Sequence, residues 1–314
     1  MLLRIVGALL LLTALALALS RAPDREVQTL VARWALPPSD FIEVRGQVVH
    51  LRDEGPRDDP LPIVLIHGTS ASLHTWEGWV AALKGQRRVI SFDLPGFGLT
   101  GPFTGEYAPD DYHGDTYARF VFDLLEALRV PRAVVGGNSL GGEIAWRMAV
   151  MAPERVAALV LVDASGPPFT PQSVPAGWIL ARVPVLNRVT EWVLPRSLVA
   201  QGLAGVYGDP ARVTSELVDR YFELTLRDGN RRALGQRLRQ VVRGEHAERI
   251  GGIRQPTLIL WGGRDRLIPP DVGHHFAQRI PGSRLVVFDD LGHVPQEEDP
   301  ARTVAPVKEF LGLK

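Results

Sequence analysis

The sequence predicts an α/β fold: a mostly parallel central sheet flanked by helices, with a helical insertion lying over it. Three features predict this. Short apolar runs alternate with segments of helical period along most of the chain. The runs are apolar at consecutive positions, as expected of parallel strands covered on both faces. One long stretch, 167–249, holds no strand-like run and stands outside the alternation.

The elements follow in chain order. Residues 1–22 are expected to form a membrane anchor or a signal peptide. Arg4 precedes an uncharged, apolar run from Ile5 to Leu19, and Arg21 closes it. Because the run stays apolar to its end, the anchor is preferred, giving membrane contact and a folded domain outside the cytoplasm. Cleavage near Ala18 or Ser20, leaving a secreted or periplasmic protein, is the alternative. Residues 23–39 read as a linker in which Val27 to Leu36 has amphipathic helical spacing and Pro37-Pro38 stops it. The folded domain is expected over 40–314. It starts with a hairpin, Phe41 to Arg45 and Val48 to Leu51, around Gly46-Gln47. Buried strands are expected at Ile63 to Ile66, Arg88 to Phe92, Ala133 to Val135, Ala158 to Val162, Thr257 to Leu260 and Leu285 to Phe288. Helices are expected at Thr75 to Leu83, Asp115 to Leu128, Leu140 to Met151, Asp271 to Ile280 and Ala301 to Leu311. The insertion, about 167–249, shows helical spacing at Ile179, Val183 and Leu186 and again at Leu217, Tyr221 and Leu224.

Composition narrows the function. Of 314 residues, 46% are hydrophobic and 22% charged, which suits a folded core and not a disordered chain. Lys+Arg and Asp+Glu are both 35, so no positive field points to nucleic acid. There is no cysteine, which removes disulfides, thiolate zinc sites and a catalytic thiol. His50, His74, His113 and His246 are isolated, without a partner at metal-ligand spacing, and His274 and His275 lie on a helical pattern. No metal and no cofactor are expected.

The chemistry concentrates in a few loops. Gly137-Asn138-Ser139-Leu140-Gly141 fits G-x-S-x-G between a strand and a helix, where a serine is pushed out of the sheet on a sharp turn. Ser139 is the candidate nucleophile. Two backbone N–H groups must face a developing oxyanion. Leu140, next to the nucleophile, supplies one, and Thr69, in the loop after Ile63 to Ile66, supplies the other. His67 precedes that turn and reads as structural. A base is expected late in the chain, and His293 follows the last strand in Asp289-Asp290-Leu291-Gly292-His293. Asp265, after Thr257 to Leu260, is placed to orient it. Asp163, after an earlier strand, is the rival acid, or else caps a turn. Trp178 and Tyr221 are the candidate substrate contacts in the insertion.

At these residues the chain resembles the α/β-hydrolase superfamily. The resemblance rests on His67-Gly68, on the loop Asp93-Leu94-Pro95-Gly96-Phe97-Gly98, on the Ser139 elbow and on the Asp265/His293 pair, in that order. It covers roughly Phe41 to the C-terminus. It implies that 167–249 is a helical lid between the sixth and seventh strands. Serine at the nucleophile position is unlike haloalkane dehalogenases and epoxide hydrolases, which use aspartate. Gly137-Asn138-Ser139 is also similar to enzymes that cleave carbon–carbon bonds of aromatic ring-fission products. Those usually carry a Ser-Gly-Pro-Gly-type loop where this chain has Thr69 to Leu73. The expected function is a serine hydrolase cleaving carboxylic esters of fairly apolar small substrates through an acyl-enzyme. Carbon–carbon bond or lactone hydrolysis by the same triad, or a ligand receptor on the same fold, are the alternatives.

Overall fold

Strands β1 (Asp40–Val44) and β2 (Gln47–Glu54) form the expected hairpin, turned at Arg45 and Gly46. Both turn residues have positive φ, 49° and 81°, the twist that matches a tight hairpin. The remaining strands are β3 (Ile63–Ile66), β4 (Val89–Phe92), β5 (Ala133–Asn138), β6 (Val156–Val162), β7 (Thr257–Gly262) and β8 (Arg284–Phe288). They join one sheet in the order β1-β2-β4-β3-β5-β6-β7-β8. From β4 to β8 every pairing is parallel, and only β2 runs against the rest, antiparallel to both β1 and β4. The computed structural model describes residues 4, 6–7, 11, 18, 20–183 and 191–314.

The strands are apolar at consecutive positions because each face has its own helices to bury. Val64 and Ile66 point into one cluster, with Tyr117 and Phe120 of α3 (Gly114–Ala127), Ile144 and Trp146 of α4 (Leu140–Met151), and Phe276 of α9 (Asp271–Arg279). Ile63 and Leu65 point the other way, towards Trp79 and Leu83 of α2 (Glu77–Leu83) and Val304 and Val307 of α10 (Pro300–Phe310). A strand with only one buried face would alternate instead.

Between β6 and β7 the described residues of 167–249 form no strand. They hold helices α5 (Ala176–Arg182), α6 (Arg196–Val206), α7 (Ser215–Thr225) and α8 (Asn230–Gln240). Thr214 caps α7 by accepting from Leu217 N at 3.1 Å. Leu186 lies outside the described residues, so its part in the expected spacing cannot be placed.

Helix α1 (Val27–Trp34) packs on this insertion. Its buried Leu30 and Trp34 meet Leu224 and Leu99. Trp34 Nε1 donates to Glu223 at 2.7 Å, and Arg33 pairs with Glu223 and Asp219. Ahead of it, Ala22 N donates to Trp192 O at 2.9 Å and Arg25 N to Leu226 O at 2.7 Å.

The expected membrane placement through Ile5 to Leu19 is corrected. Among the described residues no helix is long and apolar enough to cross a membrane. The run is also short in physical terms: as a helix it spans about 22 Å, against a hydrocarbon core of about 30 Å. Most of it lies outside the described residues.

Candidate active site

Ser139, Leu140, Thr69, Asp265 and His293 all follow the carboxyl ends of parallel strands, the edge where open α/β sheets bind ligands, while Trp178 and Tyr221 reach the site from helices α5 and α7. Ser139 follows β5 and starts α4, at φ 57° and ψ −115°, a conformation an L-residue avoids. The neighbouring glycines permit it. A Cβ on Gly137 would overlap the Gly141 backbone, and one on Gly141 would overlap the carbonyl of Ile66. Glu143 N bonds back to Ser139 O at 3.0 Å and fixes the helix start. Leu140 is the first residue of α4, so its N–H has no partner within the helix. Thr69 leaves β3 beside it, and both residues border cavity space that also touches Ser139.

His293 and Asp265 are brought together. His293 Nδ1 and Asp265 Oδ2 are 2.6 Å apart, and both residues are buried. Asp265 is oriented by its own loop: its Oδ1 accepts from Leu267 N at 2.8 Å and Ile268 N at 2.9 Å. No hydrogen bond joins Ser139 Oγ to His293 in this structure. Both side chains border one cavity, and such contacts often tighten only with substrate bound.

Two spaces meet at Ser139. One, of about 140 Å³, is walled by apolar groups of the insertion, among them Trp178, Leu198, Leu203 and Leu234, with Tyr221 at its edge. The other, of about 500 Å³, lies beyond Trp178 and is bordered by Phe169, Arg182 and Arg237. Trp178 borders both, and its Nε1 donates to Ser70 Oγ at 3.1 Å, tying α5 to the loop that carries Thr69. Tyr221 donates to Glu297 at 2.8 Å. Burial, and then the charge of Glu297, push its phenol well above the ordinary range, so it stays a neutral donor.

His67 is held away from the chemistry. Its Nδ1 lies 2.7 Å from Gly68 O, and its Nε2 accepts from Leu94 N at 2.9 Å. Both nitrogens are engaged in a neutral ring, which burial favours by lowering its pKa. Asp93 binds the loops beneath the site. It accepts from Leu73 N and Leu99 N, both at 2.8 Å, and meets His50 Nδ1 at 2.7 Å. Burial works to raise its pKa. His50, with the nearby His67 and His74, outweighs burial and holds the carboxyl below the usual range.

Three further residues support the site. Asn138 Nδ2 donates to His293 O at 2.9 Å and to Val162 O at 3.2 Å, joining elbow and histidine loop. Glu298 accepts from Gly292 N, Gly208 N and Asp209 N, each at 2.9 Å, and pins the histidine loop to the insertion. The third is Asp163. It is wholly buried behind Asp265 and accepts from Gly262 N at 2.9 Å. Asp163, Asp265 and His293 present atoms within 4.8 Å of one another. Asn138 occupies a variable position of its motif, and the other two contacts join distant parts of the chain; only Asp163 carried a signal, as the rival acid.

Comparison with known proteins agrees with this fold. Residues 63–307 match the alpha/beta hydrolase family. The chain is 30% identical over 301 residues to a 2-hydroxy-6-oxononadienedioate/2-hydroxy-6-oxononatrienedioate hydrolase from Burkholderia vietnamiensis, covering 90% of this chain and 96% of that one. It is 28% identical to the dihydrolipoyllysine-residue acetyltransferase component of an acetoin cleaving system from Pseudomonas putida, covering 83% of this chain and 66% of that one's length. Among solved structures, a meta-cleavage product hydrolase from Pseudomonas fluorescens superposes with a TM-score of 0.72 at 26% identity, over 87% of this chain and 97% of that one.

Proposed function

The chain belongs to the alpha/beta hydrolase family, and we propose that within it the protein is a serine hydrolase of carboxylic esters with an apolar acyl group. One observation carries the reading: the His293–Asp265 bond of 2.6 Å stands at the wall of the apolar cavity that also holds Ser139. Ser139 Oγ attacks the ester carbonyl while His293 takes its proton. The oxyanion rests on the N–H groups of Thr69 and Leu140. The alcohol leaves with that proton, and Ser139 keeps the acyl group. Water, deprotonated by the same histidine, then releases the acid and restores Ser139. Asp265 fixes the tautomer of His293 and balances its cation.

A second reading is hydrolysis of a carbon–carbon bond beside a ketone by the same residues. The relative from Burkholderia vietnamiensis and the structure from Pseudomonas fluorescens favour it, because their names state hydrolysis of oxo-dienoate or meta-cleavage products. Parallel assays of p-nitrophenyl esters of graded chain length and of a 2-hydroxy-6-oxo-dienoate separate the two. Faster turnover of the esters supports the first reading; turnover of the dienoate with negligible ester cleavage replaces it with the second. Under either, Ser139→Ala loses fluorophosphonate labelling and roughly 10⁴- to 10⁶-fold in kcat. Labelling that survives the substitution refutes Ser139 as nucleophile.

A further inference from the structure

We propose that Asp163 is a positioning residue behind the candidate triad: it stays a neutral acid and donates its proton to Asp265, so that the pair carries one negative charge towards His293. The proposal rests on the reading of Asp265 and His293 given above. The geometry starts with burial. Asp163 is 0% exposed and Asp265 2%. One carboxyl oxygen of each lies within 4.8 Å of the other and of a His293 ring nitrogen. Two carboxylates at that distance away from water cannot both be ionised beside a single imidazole.

The hydrogen bonds say which of them holds the proton. Asp265 meets three donors: Leu267 N, Ile268 N and His293 Nδ1. Asp163 has one, Gly262 N on Oδ1, and its Oδ2 is left without an acceptor or donor partner. Donors stabilise the ionised form, so Asp265 keeps the charge and Asp163 the proton. A proton on Oδ2 of Asp163, shared with Asp265, also satisfies a buried carboxyl atom otherwise left bare. The charged and titratable groups facing Asp163 are Asp265, His293 and, further off, Glu298; the first and last both disfavour a second negative charge. Backbone strain agrees with a residue held in place for its side chain. Asp163 has φ 43°, while its N–H still bonds Leu260 O at 3.0 Å.

The test reads the proton directly and then its effect. Infrared spectra of protein carrying ¹³C-labelled aspartate, at near-neutral pH, should show a protonated aspartic carboxyl band, which Asp163→Asn removes. A wild-type spectrum without such a band overturns the proposal, as does a band that persists in Asp163→Asn. In kinetics, Asp163→Asn keeps a neutral donor, so kcat stays within about threefold and the acidic limb of the pH profile does not move. Asp163→Ala removes the donor and lowers kcat by roughly 10- to 100-fold with little change in KM. If Asp163→Asn instead shifts the acidic limb downwards, Asp163 was an anion and the proposal fails. Ser139→Ala separates this from failure of the triad reading: the carboxyl band survives that substitution whatever happens to turnover.

Discussion

Acidification should loosen the seam between α1 and the active-site loops through His74. His74 is buried, with Nε2 2.9 Å from Trp34 O and Nδ1 3.0 Å from Ser72 Oγ. A neutral ring satisfies both contacts, donating to the carbonyl and accepting from the hydroxyl. Burial pushes its pKa down to about 4 from an ordinary 6.5; Asp93 opposes this, and Arg220 and Arg52 assist it. The sign follows from proton counting. Between those two values the unfolded chain binds a proton that the folded chain does not, so stability falls as pH falls through this window. At roughly 1.4 kcal/mol per pKa unit, the loss is about 3 kcal/mol. Urea denaturation followed by tryptophan fluorescence, at about pH 7.5 and about pH 4.5, measures it, with the far-UV signal as a second probe of two-state behaviour. His74→Gln keeps a donor and an acceptor without the titration, so most of this pH dependence should vanish in the variant. Equal acid losses in variant and wild type would refute the reasoning and place the sensitivity elsewhere.

Asp93→Ala removes a buried carboxylate from two amide donors and from His50, and should cost about 3–5 kcal/mol in denaturant unfolding. A loss below about 1 kcal/mol would show that water replaces it freely. Trp178→Ala opens the wall between the two spaces beside Ser139 and should shift the relative kcat/KM of long and short esters by about tenfold, with short esters still cleaved. An equal fall for every substrate would make Trp178 a packing residue.

Much of the fold was legible before any coordinates. Ile63 to Ile66 and Leu140 to Met151 are read to the residue, since a run apolar at every position and a run with helical period are local signals. The elbow was legible for the same reason: strand, two glycines and helix are contiguous, and Ser139 owes its strained backbone to neighbours within a few positions. Residue types do not separate ester from carbon–carbon chemistry, because an acyl-transfer site uses the same residues as related hydrolases, and the relatives' names favour carbon–carbon cleavage. The apolar run at the N-terminus invited a membrane placement that the described helices do not support.

The sequence by itself determined the order of strands and helices and the residue types at each loop, because these follow from local periodicity and turn chemistry. Only the tertiary structure decided which loops meet. Asp163 and Asp265 lie far apart in the chain and become neighbours because β6 pairs with β7, Val162 opposite Leu260. Asn138 reaches the backbone of His293, and Glu298 reaches Gly208, across a strand order that no local pattern encodes. Helix α1 had the spacing of an amphipathic linker, but its partner was set by where α7 presents Leu224, Glu223 and Asp219. Such contacts depend on the path of the chain through the sheet, and periodicity carries no information about that path.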